Sequence, residues 1–354
     1  MTGHDATPAH PPGGGENTVV RPDSPALRYE GRWDVRTHAA TTVTSGSRVF
    51  LRFSGDDVTA RFDTAGVAYP PQVYAVVDGV WSAPVVVDRD RIRLTPDGLP
   101  PGAHELMLAV KDVDERGERW TPPLTSALHL TGFDLPTGSG VYDAAPVPET
   151  RLTFLGDSIT QGVNVLGTES GPDGADATLA YPWLVAAAFD AGLEQVGFGG
   201  QGLTTGGNGG VPPAAATVDH TYAGVPTAPW TPQVVVLNQG TNDDLDGADE
   251  PTVESAYREY LHRVRAHYPD ALILAMDPVG VDGAGTRASA PIRRSVAAHG
   301  DARVAYVPTT DWTGPDDFTE GLHPNAQGHR TLATHLTAWI AARAGLRPRA
   351  PDVP

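Results

Sequence analysis

An α/β protein of two parts is predicted: a flavodoxin-like, doubly wound parallel sheet of five strands, preceded by an antiparallel β-sandwich or jelly roll. Three observations carry this. Up to about residue 147, short alternating runs are broken by turn signals. Beyond it, continuously apolar runs alternate with helical patterns. The length of 354 residues suits two such units, at about 150 residues per domain.

Residues 1–22 are polar and rich in Pro and Gly, so disorder is expected there. The sandwich is assigned to residues 23–147. In SRVFLRFSG, Val49, Leu51 and Phe53 alternate with Arg48, Phe50 and Arg52, and DVTARFDT repeats the pattern with Val58, Ala60 and Phe62. QVYAVVDGVW sets Asp78-Gly79 between apolar runs, a hairpin signal because such turns need positive φ. RIRLT, HELMLAVKD and SALHLTGFDL continue the spacing, and GVYDAAPVPET, near residues 140–150, reads as a linker.

The second unit is assigned to residues 148–345, and residues 346–354 to a C-terminal tail. Its strands are RLTFL (151–155), LEQVGF (193–198), QVVVLNQ (233–239), ALILAMD (271–277) and ARVAYVP (302–308). They are continuously apolar, as strands covered on both faces should be. TVESAYREYLHRVRAHY carries Val253, Ala256, Tyr257, Tyr260, Leu261 and Val264 at helical spacing, with Thr252 as the N-cap. A last helix spans about Ala326 to Ala344, capped by Asn325 and stopped by Gly345.

Composition narrows the function classes. A formal charge of −18 argues against partners that need a basic face, namely nucleic acid and anionic membrane surfaces. No cysteine is present, which excludes disulfides, thiolate metal sites and cysteine catalysis. The N-terminal stretch lacks the pattern of a secretory signal, and no apolar run approaches membrane-spanning length. A cytoplasmic location is therefore expected. No His/Glu spacing suggests a metal, TNDDLDGADE lacks the spacing of a calcium loop, and no cofactor is expected.

Sites on a doubly wound sheet gather beyond the C-terminal strand ends. The loops there read Gly156-Asp157-Ser158, Gly199-Gly200-Gln201-Gly202, Gly240-Thr241-Asn242-Asp243 and, after the fifth strand, Glu320-Gly321-Leu322-His323-Pro324-Asn325. They hold the parts of an acyl-transfer site. Ser158 is the candidate nucleophile and His323 its base. The N–H groups of Ser158 and Gly200, with the Asn242 amide, are candidate oxyanion donors. Asp157 reads as a support for the turn, and Thr241 and Asp243 as structural.

The segments GDSIT, GGQG, GTND and HPN, in this order, resemble the four blocks of the SGNH (GDSL-type) serine hydrolases over residues 150–345. Ser158, Gly200, Asn242 and His323 match the four block residues. With the N-terminal β-domain, the layout resembles carbohydrate esterase family two, whose members deacetylate sugars and xylan. The SGNH family usually has aspartate three residues before the histidine, where this chain has Glu320, and some family-two esterases lack the acid and orient the histidine with a backbone carbonyl. Three readings stay open: a triad completed by Glu320, a Ser–His dyad, or an acid from Asp316 or Asp317.

The resemblance implies an ester hydrolase that removes a small acyl group, acetyl in type, from a carbohydrate or other hydroxylated small molecule. An acyltransferase passing the acyl group to an alcohol, and a non-catalytic carbohydrate-binding protein, are the alternatives. Oligomeric state is not readable. His220 is a candidate pocket residue, while His262, His267, His329 and His335 fit ordinary helix positions. Trp33, Tyr74, Trp81 and Trp120 either stack on sugar or pack the core, the commoner use. The long loops 162–180 and 203–231 are candidate lids or substrate walls.

Overall fold

Alternation along the N-terminal strands puts every second side chain on one face, and the two resulting apolar faces close on each other. In the computed structural model, which describes residues 17–279 and 286–349, they belong to two antiparallel sheets. One runs in the order Arg91–Arg93, Thr59–Phe62, Leu128–Leu135, Ala40–Thr42, Asp34–Val35. The other runs Gly140–Val141, Arg48–Gly55, Gly102–Asp112, Gln72–Val77, Val80–Trp81. Val49, Leu51 and Phe53 of the second meet Ala60, Phe62 and Phe133 of the first in one buried core. Asp78 and Gly79 turn the hairpin at φ 50° and 82°, setting Val77 opposite Val80.

The disorder expected for residues 1–22 does not extend to their end. Thr18–Val20 is a strand antiparallel to Leu128–Leu135, and Val20 enters the sandwich core. Thr18, Val19 and Val20 suit a strand, but three residues after a Pro- and Gly-rich stretch are too short a pattern to mark one; their order comes from pairing with a distant partner. Residues 1–16 and 350–354 lie outside the described residues.

The second half forms a parallel sheet with the strands Arg151–Gly156, Gly192–Gly197, Val234–Asn238, Leu272–Met276 and Val304–Val307, in the order second, first, third, fourth, fifth. Successive residues serve opposite faces. Phe154, Val236 and Leu274 pack under the helices Tyr181–Ala188 and Ala326–Ala344. Leu155, Val235 and Ile273 pack under Glu250–His267 and Thr286–His299. Strands covered on both sides need no polar alternation, hence their unbroken apolar runs. The helix Glu250–His267 starts ahead of the expected Thr252 cap: Asp249 is the N-cap and accepts from the Thr252 N–H at 2.8 Å. Pro251, which lacks an N–H to satisfy, fits the first turn and moves the cap upstream. Asn325 and Gly345 cap the last helix as expected, Gly345 at φ 67°.

The Gly192–Gly197 strand is an edge whose free backbone groups face the sandwich. Glu30 accepts from the Leu193 N–H at 3.0 Å, and Arg48 donates to the Ala191 carbonyl at 3.1 Å. Arg32, fully buried, pairs with Glu194 at 3.0 Å and donates to the carbonyls of Thr217, Val218 and His220. Among the described residues, no helix is long and apolar enough to cross a membrane.

Candidate active site

The switch in strand order falls between the first and second strands on one side and the third on the other, and the loops of all three meet there. The first strand ends at Gly156, where a Cβ would stand 2.0 Å from Thr160 Oγ1 and 2.8 Å from the Asn238 carbonyl. Glycine therefore lets the serine turn lie against the third strand. Ser158 opens the four-residue helix Ser158–Gln161, capped by Asp157, whose Oδ1 accepts from the Ile159 N–H at 3.0 Å. Asp157 is wholly buried, and burial pushes its carboxyl up to about 7.

Ser158 Oγ lies 2.9 Å from His323 Nε2. On the far side of the ring, Nδ1 is hydrogen-bonded to Glu320. Asp317 is engaged elsewhere, accepting from the Gly314 N–H at 3.0 Å, and Asp316 offers its carbonyl to Asn325. The histidine loop is pinned by the Thr319 N–H on the His323 carbonyl (2.9 Å) and by pairing of Phe318 with Pro324.

The glycine loop turns at Phe198–Gln201, closed by Gln201 N–H to the Phe198 carbonyl at 3.1 Å, with Gly200 at φ 73°. Asn242 ties two loops together. Its Nδ2 donates to the Gln201 carbonyl at 2.9 Å and to Asp157 Oδ2 at 3.3 Å. Ser158, Gly200 and Asn242 thus converge through their immediate neighbours. Asp243, wholly buried, accepts from the N–H groups of Leu203 and Thr204, both at 2.8 Å, and so fixes the next stretch of the glycine loop.

Two positions escaped sequence reasoning. Asn164, at φ 56°, donates to Glu320 Oε1 at 3.2 Å and holds Thr319 through its own carbonyl. The tolerance of Asn for positive φ was the one local hint. Gln161 accepts from the Gly199 N–H and from Arg119 Nη1, both at 3.1 Å, joining the serine helix to the glycine loop.

The loop 162–180 is a fixed wall. Lys111, the sole lysine of the chain, donates to the Pro172 and Ala175 carbonyls, and the Tyr74 hydroxyl donates to Asp176 at 2.7 Å. A cavity of about 250 Å³ opens beside His323, lined among others by Asp112, Glu115 and Arg116 of the sandwich and by Gln161 and Asn164. His220 instead pairs with Asp219 and packs against Trp120. Trp33 and Trp120 are buried, whereas Trp81 is exposed with its ring against Tyr74 and Trp183. Among the described residues, no group of three or more His, Asp or Glu side chains is placed to hold a metal.

Residues 154–331, half of the chain, match the model of the GDSL-like lipase/acylhydrolase family. The chain belongs to that family. It is 30% identical over 343 residues to the cellulase/esterase CelE of Acetivibrio thermocellus, covering 91% of this chain and 40% of that protein. With an acetylxylan esterase / glucomannan deacetylase of Cellvibrio japonicus it shares 26% identity over 239 residues, 64% of either chain. The chain thus spans less than two thirds of the length of these relatives. A family two carbohydrate esterase from Clostridium thermocellum, solved in complex with cellohexaose, superposes with a TM-score of 0.78 at 27% identity, over 90% of this chain and 99% of that one.

Proposed function

We propose that the protein is a serine ester hydrolase that removes an acetyl-type acyl group from a carbohydrate. The hydrogen bond from Ser158 Oγ to His323 Nε2, at 2.9 Å with Glu320 on the opposite ring nitrogen, carries the reading. Glu320 fixes the tautomer whose Nε2 lone pair faces the serine. Ser158 Oγ attacks the ester carbonyl as its proton passes to Nε2. The carbonyl oxygen, now negative, is received by the N–H groups of Ser158 and Gly200 and by Asn242 Nδ2, which exchanges its longer bond to Asp157 for the oxyanion. Collapse returns the proton from His323 to the departing alcohol. Water, deprotonated by the same imidazole, then hydrolyses the acyl-enzyme.

Carbohydrate as the alcohol is supported by the esterase names of the relatives and by the cellohexaose complex of the similar structure. The test is intact-mass spectrometry after exposure to a panel of small activated esters. A mass gain equal to one acyl group, absent in Ser158→Ala, is expected, with acetylated oligosaccharides turned over to free acetate. No adduct and no turnover on any ester would sink the proposal. Acyl transfer to an added alcohol in preference to water would recast it as an acyltransferase.

A further inference from the structure

The sandwich segment 112–119 reaches the mouth of the parallel sheet and brings Glu115 against the glycine loop. A Cβ on Gly199 would stand 1.6 Å from Glu115 Oε2, so the carboxylate occupies the space that any side chain at 199 would fill. That oxygen is buried and has no hydrogen-bond partner. Asp112, 1% exposed, repeats the pattern: Oδ1 accepts from Ser45 Oγ at 2.8 Å and Gln161 Nε2 at 2.9 Å, while Oδ2 is buried without a partner. Both acids line the cavity beside His323.

Unpartnered buried carboxylate oxygens are costly, and the two acids here each lack a donor, a gap in the hydrogen bonding of the cavity wall. The nearby cations do not fill it. Arg119 lies buried with Nη1 and Nη2 on Gln161 and backbone carbonyls and with Nε unpartnered, so it hydrogen-bonds to neither acid, and Arg116 is held by Asp114. The wall here carries two acids, and Glu115 Oε1 is not among the buried atoms, so hydrogen-bond donors are favoured against it and negative charge is disfavoured.

We propose that Glu115 is a specificity residue of the alcohol subsite, accepting hydrogen bonds from free hydroxyls of the sugar that carries the ester. It selects neutral, polyhydroxylated alcohols and rejects sugars bearing a carboxylate. The proposal rests on the hydrolase reading above and adds that the sandwich is part of the substrate site.

The test compares kcat/KM on an acetylated cello-oligosaccharide with that on 4-nitrophenyl acetate, whose leaving group has no further hydroxyl to offer. In Glu115→Ala the ratio of the two falls roughly tenfold or more, as expected for a lost bond to a charged acceptor. Glu115→Gln, which keeps an acceptor of similar size without the charge, retains more of the ratio and narrows the preference for neutral over uronic acetates. Equal losses on both esters would mean that Glu115 only supports the Gly199–Gly200 turn, and that outcome, like an unchanged ratio, overturns the proposal. A wild-type protein inactive on both esters removes the hydrolase reading instead. Calorimetric titration of cellohexaose into Ser158→Ala and Ser158→Ala/Glu115→Ala then decides the matter: weaker binding in the double variant supports the subsite, and equal binding overturns it.

Discussion

Glu320 reaches His323 Nδ1 because the turn between them is tight. Gly321 sits at φ 83°, and the Thr319 N–H closes onto the His323 carbonyl, so a side chain one methylene longer than aspartate still meets the ring. Asn164 donates to the same carboxylate and holds it in line. With 32% of its side chain exposed, Glu320 is also open to water, which tempers the electrostatic part of its role. We expect Glu320→Gln to lower kcat by roughly a hundredfold or more with little change in KM, since the loss falls on the imidazolium of the transition state. Glu320→Asp should recover part of it. Steady-state kinetics on an activated acetate measures both, and a Glu320→Gln kcat within twofold of wild type would indicate a dyad. Ser158, Gly200, Asn242 and His323 were legible in sequence because each follows a recognisable strand end or precedes a capped helix. Asn164 and Glu115 were not, because they meet the site through loops whose course depends on the assembled sheets.

At the scale of elements, the apolar runs and helical periods foretold the parallel sheet, whereas the Thr18–Val20 strand depended on a partner that no local pattern names. The last helix shows how an element can bury a residue that its period does not explain. His329, read as an ordinary helix position, is wholly buried, stacks on Tyr181 and accepts the Tyr181 N–H on Nδ1 at 3.1 Å. Burial, reinforced by the nearby His323 ring, pushes its pKa down to about 3. The unfolded chain takes up a proton near pH 6.5 that the folded chain refuses until about pH 3. The stability this residue contributes is thus full above about pH 6.5 and falls on acidification, by up to about 1.4 kcal/mol per pH unit. Urea unfolding between pH 4 and pH 7 should show a shallower acid loss in His329→Gln than in wild type. Equal slopes would mean that the imidazole titrates normally in the folded protein.

Across the whole molecule the sandwich acts as a structural support for the parallel-sheet half. It covers the edge strand, fixes the wall 162–180 through Lys111 and Tyr74, and sends Arg32 into the parallel-sheet half. Arg32 meets Glu194, which also accepts from Thr153 and Tyr268, so one buried carboxylate links the sandwich, two strands of the parallel sheet and the end of a long helix. A buried pair adds little over an apolar equivalent, but removing one member strands the other. Arg32→Met would leave the Thr217, Val218 and His220 carbonyls short of a donor as well. We expect it to cost about 3–5 kcal/mol, in the range for breaking a buried ion pair. Because this contact joins the two halves, wild-type protein should unfold in a single calorimetric transition, and Arg32→Met should lower that transition as a whole or split it in two. Two separate wild-type transitions, with the variant moving only one, would show that the halves are independent and that the interface contributes shape rather than stability.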